Sequence, residues 1–252
     1  MPSKNQNTSL NHTLVSMPSK DQLDRAEALL ELSISLIESS IDVFKQNITT
    51  DEQLTRESLL MPGGTLGKHF RHVIESFRAF LNPLLSPTND ATIPEINYDN
   101  IEPTKRHPIA RSIKSCLNAL EEIKDDLIEF GENSRSQLSG DISGEGVAGE
   151  FGLSQHNSRK NGLSRIMESK VNVLAITPTK QIMGSTVGRE LWYISLHAIH
   201  HFSMLRTIAV HEHGLELPIE FGTAPSTLLY RGLNWKPPNQ DKQVQVKVKS
   251  KL

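Results

Sequence analysis

Three histidines lie close together in the stretch HAIHH, at positions 197, 200 and 201. Residues four apart share one face of an α-helix, so His197 and His201 form a pair that could bind one metal ion, whereas His200 is turned away by about a quarter turn. The apolar stripe of this segment places the pair on its border and predicts that His200 points outward. Glu190 lies on the same border, two turns before His197, and is a candidate hydrogen-bond acceptor for a ligand ring or, alternatively, an internal ion-pair partner.

A catalytic metal site that keeps one position open usually takes three protein ligands. The segment GKHFRHVIESF supplies His69 and His72 as further candidates. By helical face alone His69 is the better choice, because it lies beside the apolar stripe and His72 lies further round. Glu75, one turn along from His72, is a candidate general base. The alternative is that the histidines are hydrogen-bonded structural residues, since an HxxxH pair also arises by chance.

The rest of the composition narrows the metal chemistry. The single cysteine, Cys116, excludes an intramolecular disulfide and any site of several thiolates. It lies on an apolar stripe and is interpreted as a core thiol. The Glu-x-x-His pattern of di-iron carboxylate bundles and the His-Glu-x-x-His pattern of zincins are both absent from the sequence. Histidine, carboxylate and water are therefore the ligands that remain.

Two amphipathic helices are predicted in the first third of the chain. In KDQLDRAEALLELSISLIESSIDVFKQNI, apolar residues recur at steps of three and four. A second helix follows the breaker MPGG, with Thr65 as its candidate N-cap, and runs through LGKHFRHVIESFRAFL. Pro83 and Pro87 are expected to end it. This second helix carries His69 and His72.

Two more helices are predicted further on. The third lies in HPIARSIKSCLNALEEIKDDLIEF, with Gly131 as its stop, and the fourth runs from Ser185 or Thr186 to about His211. Before the fourth helix, VNVLAITP predicts a short extended segment, and after it GLELPIEFGTAPSTLLYRGLNW predicts a loop pinned to the body. Four long helices with little strand between them favour an all-α fold, an antiparallel four-helix bundle.

The chain divides into a bundle and three polar segments. Residues 1–19 are predicted to be a disordered N-terminal arm, and residues 236–252 a disordered, lysine-rich tail. The bundle domain covers residues 20–235. It is interrupted between the third and fourth helices by residues 132–170, a Gly/Ser-rich insertion predicted to be disordered because it cannot bury enough apolar surface.

Charge and hydropathy bear on partners and compartment. A formal net charge of −2 gives no overall attraction to nucleic acid or anionic lipid, so no specific nucleic-acid partner is expected. No apolar run approaches the roughly 20 residues that span a bilayer. The first residues lack the apolar core of a secretory signal. We therefore expect a soluble, cytoplasmic protein, with the nucleus as the alternative.

Three stretches together resemble the DinB-like superfamily of damage-inducible four-helix bundles. They are TLGKHFRHVIESFRAFL, STVGRELWYISLHAIHHFSMLRTIA and LPIEFGTAPSTL, and the resemblance covers about residues 20–131 and 171–230. It implies a divalent metal, zinc or nickel with iron as a further option, held by one histidine of the second helix and the later HxxxH pair. The family pattern places that histidine seven positions after a hydroxyl residue, which leads from Thr65 to His72. The implied ligands are His72, His197 and His201, with His69 as the alternative.

The resemblance also implies a class of function. Relatives include thiol transferases, so we expect a small-molecule substrate and a metal that activates either a low-molecular-weight thiol or water for hydrolysis. DinB-like bundles are often dimers, and a homodimer is the expected assembly. The alternative is a non-catalytic helix-bundle dimer with a structural or vestigial metal site.

Overall fold

The chain is built mainly from helices. The computed structural model describes residues 19–86, 93–99, 108–136 and 161–230. Its helices are α1 (Lys20–Asn47), α2 (Asp51–Thr55), α3 (Leu66–Leu85), α4 (Ile113–Ser136), α5 (Val187–His213) and α6 (Pro225–Tyr230). Residues 108–111 and 161–167 are also helical. The prediction of a mostly helical chain is confirmed, and none of the described helices is long and apolar enough to cross a bilayer.

The four long helices pack around one core. Helix α1 contacts α4 and α5, and helix α3 contacts the same two helices. Removal of their apolar faces from water is the main stabilising contribution to such an arrangement. The largest fully buried side chains include five phenylalanines: Phe44, Phe70, Phe77, Phe80 and Phe202. The direct packing of α3 on α5 brings together the two helices that carry the predicted metal ligands.

A small sheet lies beside the helices. Its strands are β1 (Glu95–Ile96), β2 (Lys170–Ala175) and β3 (Gln181–Thr186). The central strand β2 runs parallel to β1 and antiparallel to β3. The extended segment predicted in VNVLAITP is confirmed as β2, whereas β3 was not predicted, because QIMGST lacks the β-branched and aromatic enrichment that marks a strand. The sheet leads directly into α5, whose first backbone N–H, on Val187, donates to Ser169 O at 3.0 Å.

Threonine caps start both of the helices that carry the histidines. The Thr65 side chain accepts a hydrogen bond from the backbone N–H of Lys68 at 3.0 Å, and the Thr186 side chain accepts one from Arg189 at 3.3 Å. Each cap satisfies a backbone donor that the first helical turn leaves without a partner. The sequence predicted the Thr65 cap, which the structure confirms, and it placed the start of the later helix at Ser185 or Thr186, of which Thr186 is the N-cap.

The end of α4 differs from the prediction. Helix α4 continues past Gly131 to Ser136, so the interpretation of Gly131 as a stop was wrong. A Cβ at this glycine would lie 2.5 Å from Leu30 Cδ2, which shows that the residue allows α1 and α4 to approach closely. Glycine here serves packing rather than termination.

The bounds predicted for the disordered insertion, residues 132–170, were wrong at both ends. Residues 132–136 belong to α4, and residues 161–167 form a helical stretch that leads through residues 168–169 into β2, whose first residue is Lys170. Leu163 and Met167 of that stretch are buried in the core. Residues 137–160 lie outside the described residues, as do residues 1–18 of the predicted arm and the whole predicted tail, 236–252.

Proline positions in α3 also needed correction. Pro83 lies inside the helix, which continues to Leu85, so the prediction that Pro83 helps to end it was wrong. Pro87 lies outside the described residues. A proline in the last turn removes one hydrogen bond and clashes with only one preceding carbonyl. The rest of α3 is held by its buried face, and the helix tolerates that loss.

The segment after α5 is pinned to the helix. Phe221 is buried and stacks on Phe202 of α5, with 4.9 Å between ring centroids. The Ser203 hydroxyl donates to Gly222 O at 2.6 Å, and the Arg206 guanidinium donates to backbone carbonyls that include Pro218 O. Gly222 has a positive φ of 75°. The predicted pinned loop is confirmed over residues 214–224, and the FG of FGTAPST has a structural role in it. Residues 225–230 form helix α6 instead of a loop, and residues 231–235 lie outside the described residues.

Candidate metal centre

Helices α3 and α5 bring three histidines together. His72, His197 and His201 each offer a ring nitrogen, and these nitrogens lie within 4.8 Å of one another. The ring centroid of His201 lies 4.7 Å from that of His72 and 4.7 Å from that of His197. The remaining pair, His72 and His197, are 5.1 Å apart. The three imidazoles could hold one metal ion, and they are the three that the sequence analysis named.

The three rings differ in their exposure to solvent. His201 is buried, with 9% of its surface exposed, His197 is half-buried and His72 is exposed. The group therefore has a closed side toward the core and an open side at His72. Sites in which three protein ligands leave one position for water or substrate are characteristic of catalytic rather than structural zinc.

The protein environment favours neutral imidazoles. Burial, followed by repulsion from four neighbouring imidazoles, lowers the pKa of His201 from its ordinary 6.5 to about 3. Burial and the neighbouring His72 and His200 also lower the pKa of His197 and of His69. A metal ion needs the neutral ring, so protons compete weakly for this group at neutral pH.

The other two nearby histidines are placed differently. His200 is exposed, as predicted. His69 is not among the three, but its Nδ1 lies 3.0 Å from Nδ1 of His201. Its Nε2 is buried and has no hydrogen-bond partner among the described residues. The structure thus groups His72 with His197 and His201, whereas helical face alone had favoured His69 as the third ligand. His69 instead contacts His201.

Glu190 is in the second of the two settings predicted for it. Its carboxylate is buried, with 3% exposed, and it accepts hydrogen bonds from Ser185 Oγ at 2.6 Å, Arg189 at 3.1 Å and Tyr98 Oη at 2.9 Å. Within the described residues these three donors are its hydrogen-bond partners, and none is a histidine. The predicted bond from Glu190 to a ligand ring is therefore not present, whereas the alternative of an internal ion pair is confirmed by the contact with Arg189.

Glu75 lies one turn beyond His72 on α3. It forms an ion pair with Arg71, with 3.5 Å between Arg71 Nε and Glu75 Oε1, and both side chains are about one-fifth exposed. Its role as a base stays a prediction.

A cavity of about 590 Å³ opens beside the histidines. It lies between the sheet and the start of α5, and its lining includes Tyr98, Met183, Arg189, Glu190 and Tyr193. The Tyr193 ring stacks on His197, with 5.9 Å between centroids and 21° between planes. One wall of the cavity is therefore in contact with a predicted metal ligand.

The sequence analysis missed Tyr98 and Arg189 as members of this site. Arg189 lies in GREL, next to Glu190, and its position in the first turn of a helix was a usable signal. Tyr98 gave no such signal, because its approach to α5 depends on the pairing of β1 with β2, which is set far along the chain. Tyr98 and Tyr193 are 5.5 Å apart between ring centroids.

Removal of the Tyr98 hydroxyl tests the network around Glu190. Burial and the charge of Glu190 raise the pKa of Tyr98, so the phenol keeps its proton and donates to the carboxylate. We expect Tyr98→Phe to lower the free energy of unfolding by about 2 kcal/mol, the range for a hydrogen bond to a charged group. Urea unfolding measures it. Tyr193→Phe, which retains the ring contacts of Tyr193, is the control and should be close to neutral.

The stability of the metal-free protein should fall at mildly acidic pH. The folded state lowers the pKa of His201 to about 3, so between pH 6.5 and pH 3 the unfolded chain binds a proton that the folded chain does not. Stability is thus highest above pH 6.5 and decreases as pH falls. We expect a loss of about 2 kcal/mol from His201 alone between pH 7.5 and pH 5.

Urea unfolding in a chelator at the two pH values measures this loss. In His201→Leu the loss should be smaller by the contribution of that ring. Equal pH dependence in the variant and the wild type would contradict the assignment.

Comparisons with known proteins find little similarity to this chain. No family model matches the chain, and no solved structure matches it. FK506-binding protein 5 of Rhizopus delemar is 26% identical over 199 residues, which are 79% of this chain and 37% of that protein. The chain thus spans little more than a third of the relative's length. The name FK506-binding protein 5 refers to the whole of that relative, of which this chain covers only a part.

Proposed function

We propose that this protein is a DinB-like, antiparallel four-helix bundle that binds one divalent metal ion. Its ligands are His72, His197 and His201, and zinc or nickel is the expected ion, with iron as a further option. The function proposed is metal-dependent transfer of a low-molecular-weight thiol, or hydrolysis, of a small-molecule substrate. The ring of contacts among the four long helices supports the bundle.

The observation that carries the proposal is the convergence of three imidazoles from two helices. Their ring nitrogens lie within 4.8 Å of one another, and burial holds the pKa of two of the three below the ordinary value. Imidazole nitrogen suits zinc, nickel and iron alike. The donor set therefore fits the ion that the resemblance implies, and it does not choose among the three metals.

The proposed roles of the residues in the site follow from their exposure to solvent. A divalent ion held by three neutral ligands lowers the pKa of a water or thiol that binds it, and so supplies a nucleophile at neutral pH. His201 is the buried ligand and His197 the half-buried one, and the exposed His72 opens the group to solvent. Glu75, one turn beyond His72 and about one-fifth exposed, is proposed as the group that receives a proton.

The cavity beside Tyr193 is the proposed substrate site. Its volume of about 590 Å³ suits a small organic molecule. The network of Glu190 with Tyr98, Ser185 and Arg189 holds one wall in place. The Tyr193 ring lines the cavity and stacks on His197, so the proposed substrate site and the proposed metal ligands adjoin each other at this ring.

Metal content is the experiment that tests the proposal. The purified protein, before and after chelation and reloading, is analysed by mass spectrometry for zinc, nickel and iron. We expect about one ion per chain. The loaded and chelated forms are then compared for conjugation of a low-molecular-weight thiol to a chromogenic electrophile and for hydrolysis of a chromogenic ester.

Two outcomes would change the conclusion. If no ion is present and none is taken up on adding zinc or nickel, the metal-dependent function is wrong. If one ion is bound and both reactions are equal in the loaded and chelated forms, the non-catalytic bundle with a structural metal site is favoured. The homodimer stays a prediction, which sedimentation velocity tests.

A further inference from the structure

His69 occupies a position next to the proposed metal centre that neither ligand binding nor core packing explains. It lies on α3 one turn before His72, and its Nδ1 is 3.0 Å from Nδ1 of His201. The distance between the two ring centroids is 5.3 Å. His69 thus contacts the most buried of the three proposed ligands through Nδ1 of that ring.

Two ring nitrogens at this distance must share one hydrogen. In a pair of neutral imidazoles, one Nδ1 carries the hydrogen and donates, and the other Nδ1 accepts. If His201 donates, its Nε2 carries a lone pair that can bind a metal ion. If His69 donates, the hydrogen of His201 is on Nε2, and that nitrogen cannot act as a ligand.

We propose that His69 is a positioning residue that accepts the Nδ1 hydrogen of His201. It thereby holds His201 in the tautomer whose Nε2 is free to bind a metal ion, and it fixes the orientation of the ring. This inference rests on the proposed metal centre. Metal-binding histidines commonly donate their second ring N–H to a carboxylate, a carbonyl or water, and here an imidazole takes that place.

The burial of His69 supports a specific role. When its Nδ1 accepts, its own hydrogen is on Nε2, which is buried and has no hydrogen-bond partner among the described residues. A buried polar group without a partner is costly and calls for an explanation. Gly64 lies against this nitrogen, and a Cβ there would be 3.3 Å from it. The folded protein thus retains the contact between Nδ1 of His69 and Nδ1 of His201 although Nε2 of His69 lacks a hydrogen bond.

The same geometry accounts for the two candidates in α3. His69 lies beside the apolar stripe, where it reaches the buried His201, and His72 lies further round, where it reaches the open side of the group. Both are used, one as the positioning residue and the other as the ligand.

The tautomer of His201 in the metal-free protein is the primary test. Long-range ¹H–¹⁵N spectra at pH 8, where the imidazoles are neutral, distinguish an Nδ1–H ring from an Nε2–H ring. Free histidine in water favours the Nε2–H form. We expect His201 in the wild type to show the Nδ1–H form, and this measurement requires no variant at position 69. An Nε2–H ring at His201 in the wild type would overturn the inference.

Variants at His69 provide the second test. Asparagine places an acceptor oxygen near the position of Nδ1, so His69→Asn should retain the Nδ1–H form of His201 and most of the zinc affinity. His69→Leu has no acceptor, and we expect it to lose the Nδ1–H preference and to weaken zinc binding by about 10- to 100-fold. Zinc affinity is measured by competition with a chromogenic chelator. His200→Leu, which changes an exposed histidine of α5, is the matched control and should alter neither quantity.

The outcomes separate the two proposals. If the wild type binds zinc and His69→Leu changes neither the tautomer nor the affinity, the role of His69 is wrong and the metal centre stands. If the wild type binds no zinc, the metal centre is wrong, and the positioning role that rests on it falls with it.

Discussion

Replacing His201 by alanine should reduce zinc affinity by more than 100-fold. Loss of a residue that only supports a metal ligand typically costs about 10- to 100-fold, and loss of the ligand itself should cost more. His201 is the most buried of the three rings and approaches both of the others to 4.7 Å between centroids. Competition titrations with a chromogenic chelator measure the affinity, and mass spectrometry measures the metal content.

The same result is expected for His72→Ala and His197→Ala. The matched control is His200→Ala, which removes an imidazole from the exposed face of the same helix and should retain about one ion per chain. Retention of the ion in His201→Ala, or its loss in His200→Ala, would contradict the ligand assignment. Circular dichroism of each variant shows whether the helices are intact.

Gly67→Ala should destabilise the fold by about 3 kcal/mol, at the upper end for overpacking a core. A Cβ at Gly67 would overlap the carbonyl oxygen of Ala110 and lie 2.7 Å from its carbonyl carbon, with Leu54 O at 3.0 Å. All three are backbone atoms, so no side-chain rotation can relieve the overlap. Alanine is the better helix former by about 1 kcal/mol, and the expected loss is the net value after that gain. Urea unfolding measures it.

Gly184→Ala is the matched control. Its Cβ would have no atom within 4 Å, and we expect its free energy of unfolding to stay within about 0.5 kcal/mol of the wild type. If Gly67→Ala loses no more free energy of unfolding than Gly184→Ala, the packing of α3 against Ala110 and Leu54 is looser than described. Because α3 carries His72, Gly67→Ala should also weaken metal binding.

Local sequence signals predicted the helices that carry the site. The role of a capping residue depends on the next three residues alone, and the predicted Thr65 cap is confirmed. The start of the later helix was predicted at Ser185 or Thr186, and Thr186 is its N-cap. The pair His197 and His201 follows from the geometry of one helix, and so does the outward position of His200. These features require no knowledge of how distant parts of the chain meet.

Features that depend on distant contacts were predicted poorly. Gly131 was interpreted as a helix stop because glycine commonly ends helices, whereas its actual role comes from the approach of Leu30 on α1. The choice between His69 and His72 depended on where α5 crosses α3, which a helical wheel does not contain. Glu190 was placed on a half-buried border, but its partners Tyr98 and Ser185 are brought to it by the sheet.

The graded exposure of the three imidazoles makes the proposed centre kinetically labile. His72 is the exposed ring, and its departure into water leaves only two protein ligands, His197 and His201, on the ion. Small chelators can enter from that open side and take over the vacated position. The metal that occupies the proposed centre would then depend on the free ion concentrations around the folded protein, and not on the ion that was present when the chain folded. The same chain would exchange one metal for another as those concentrations change.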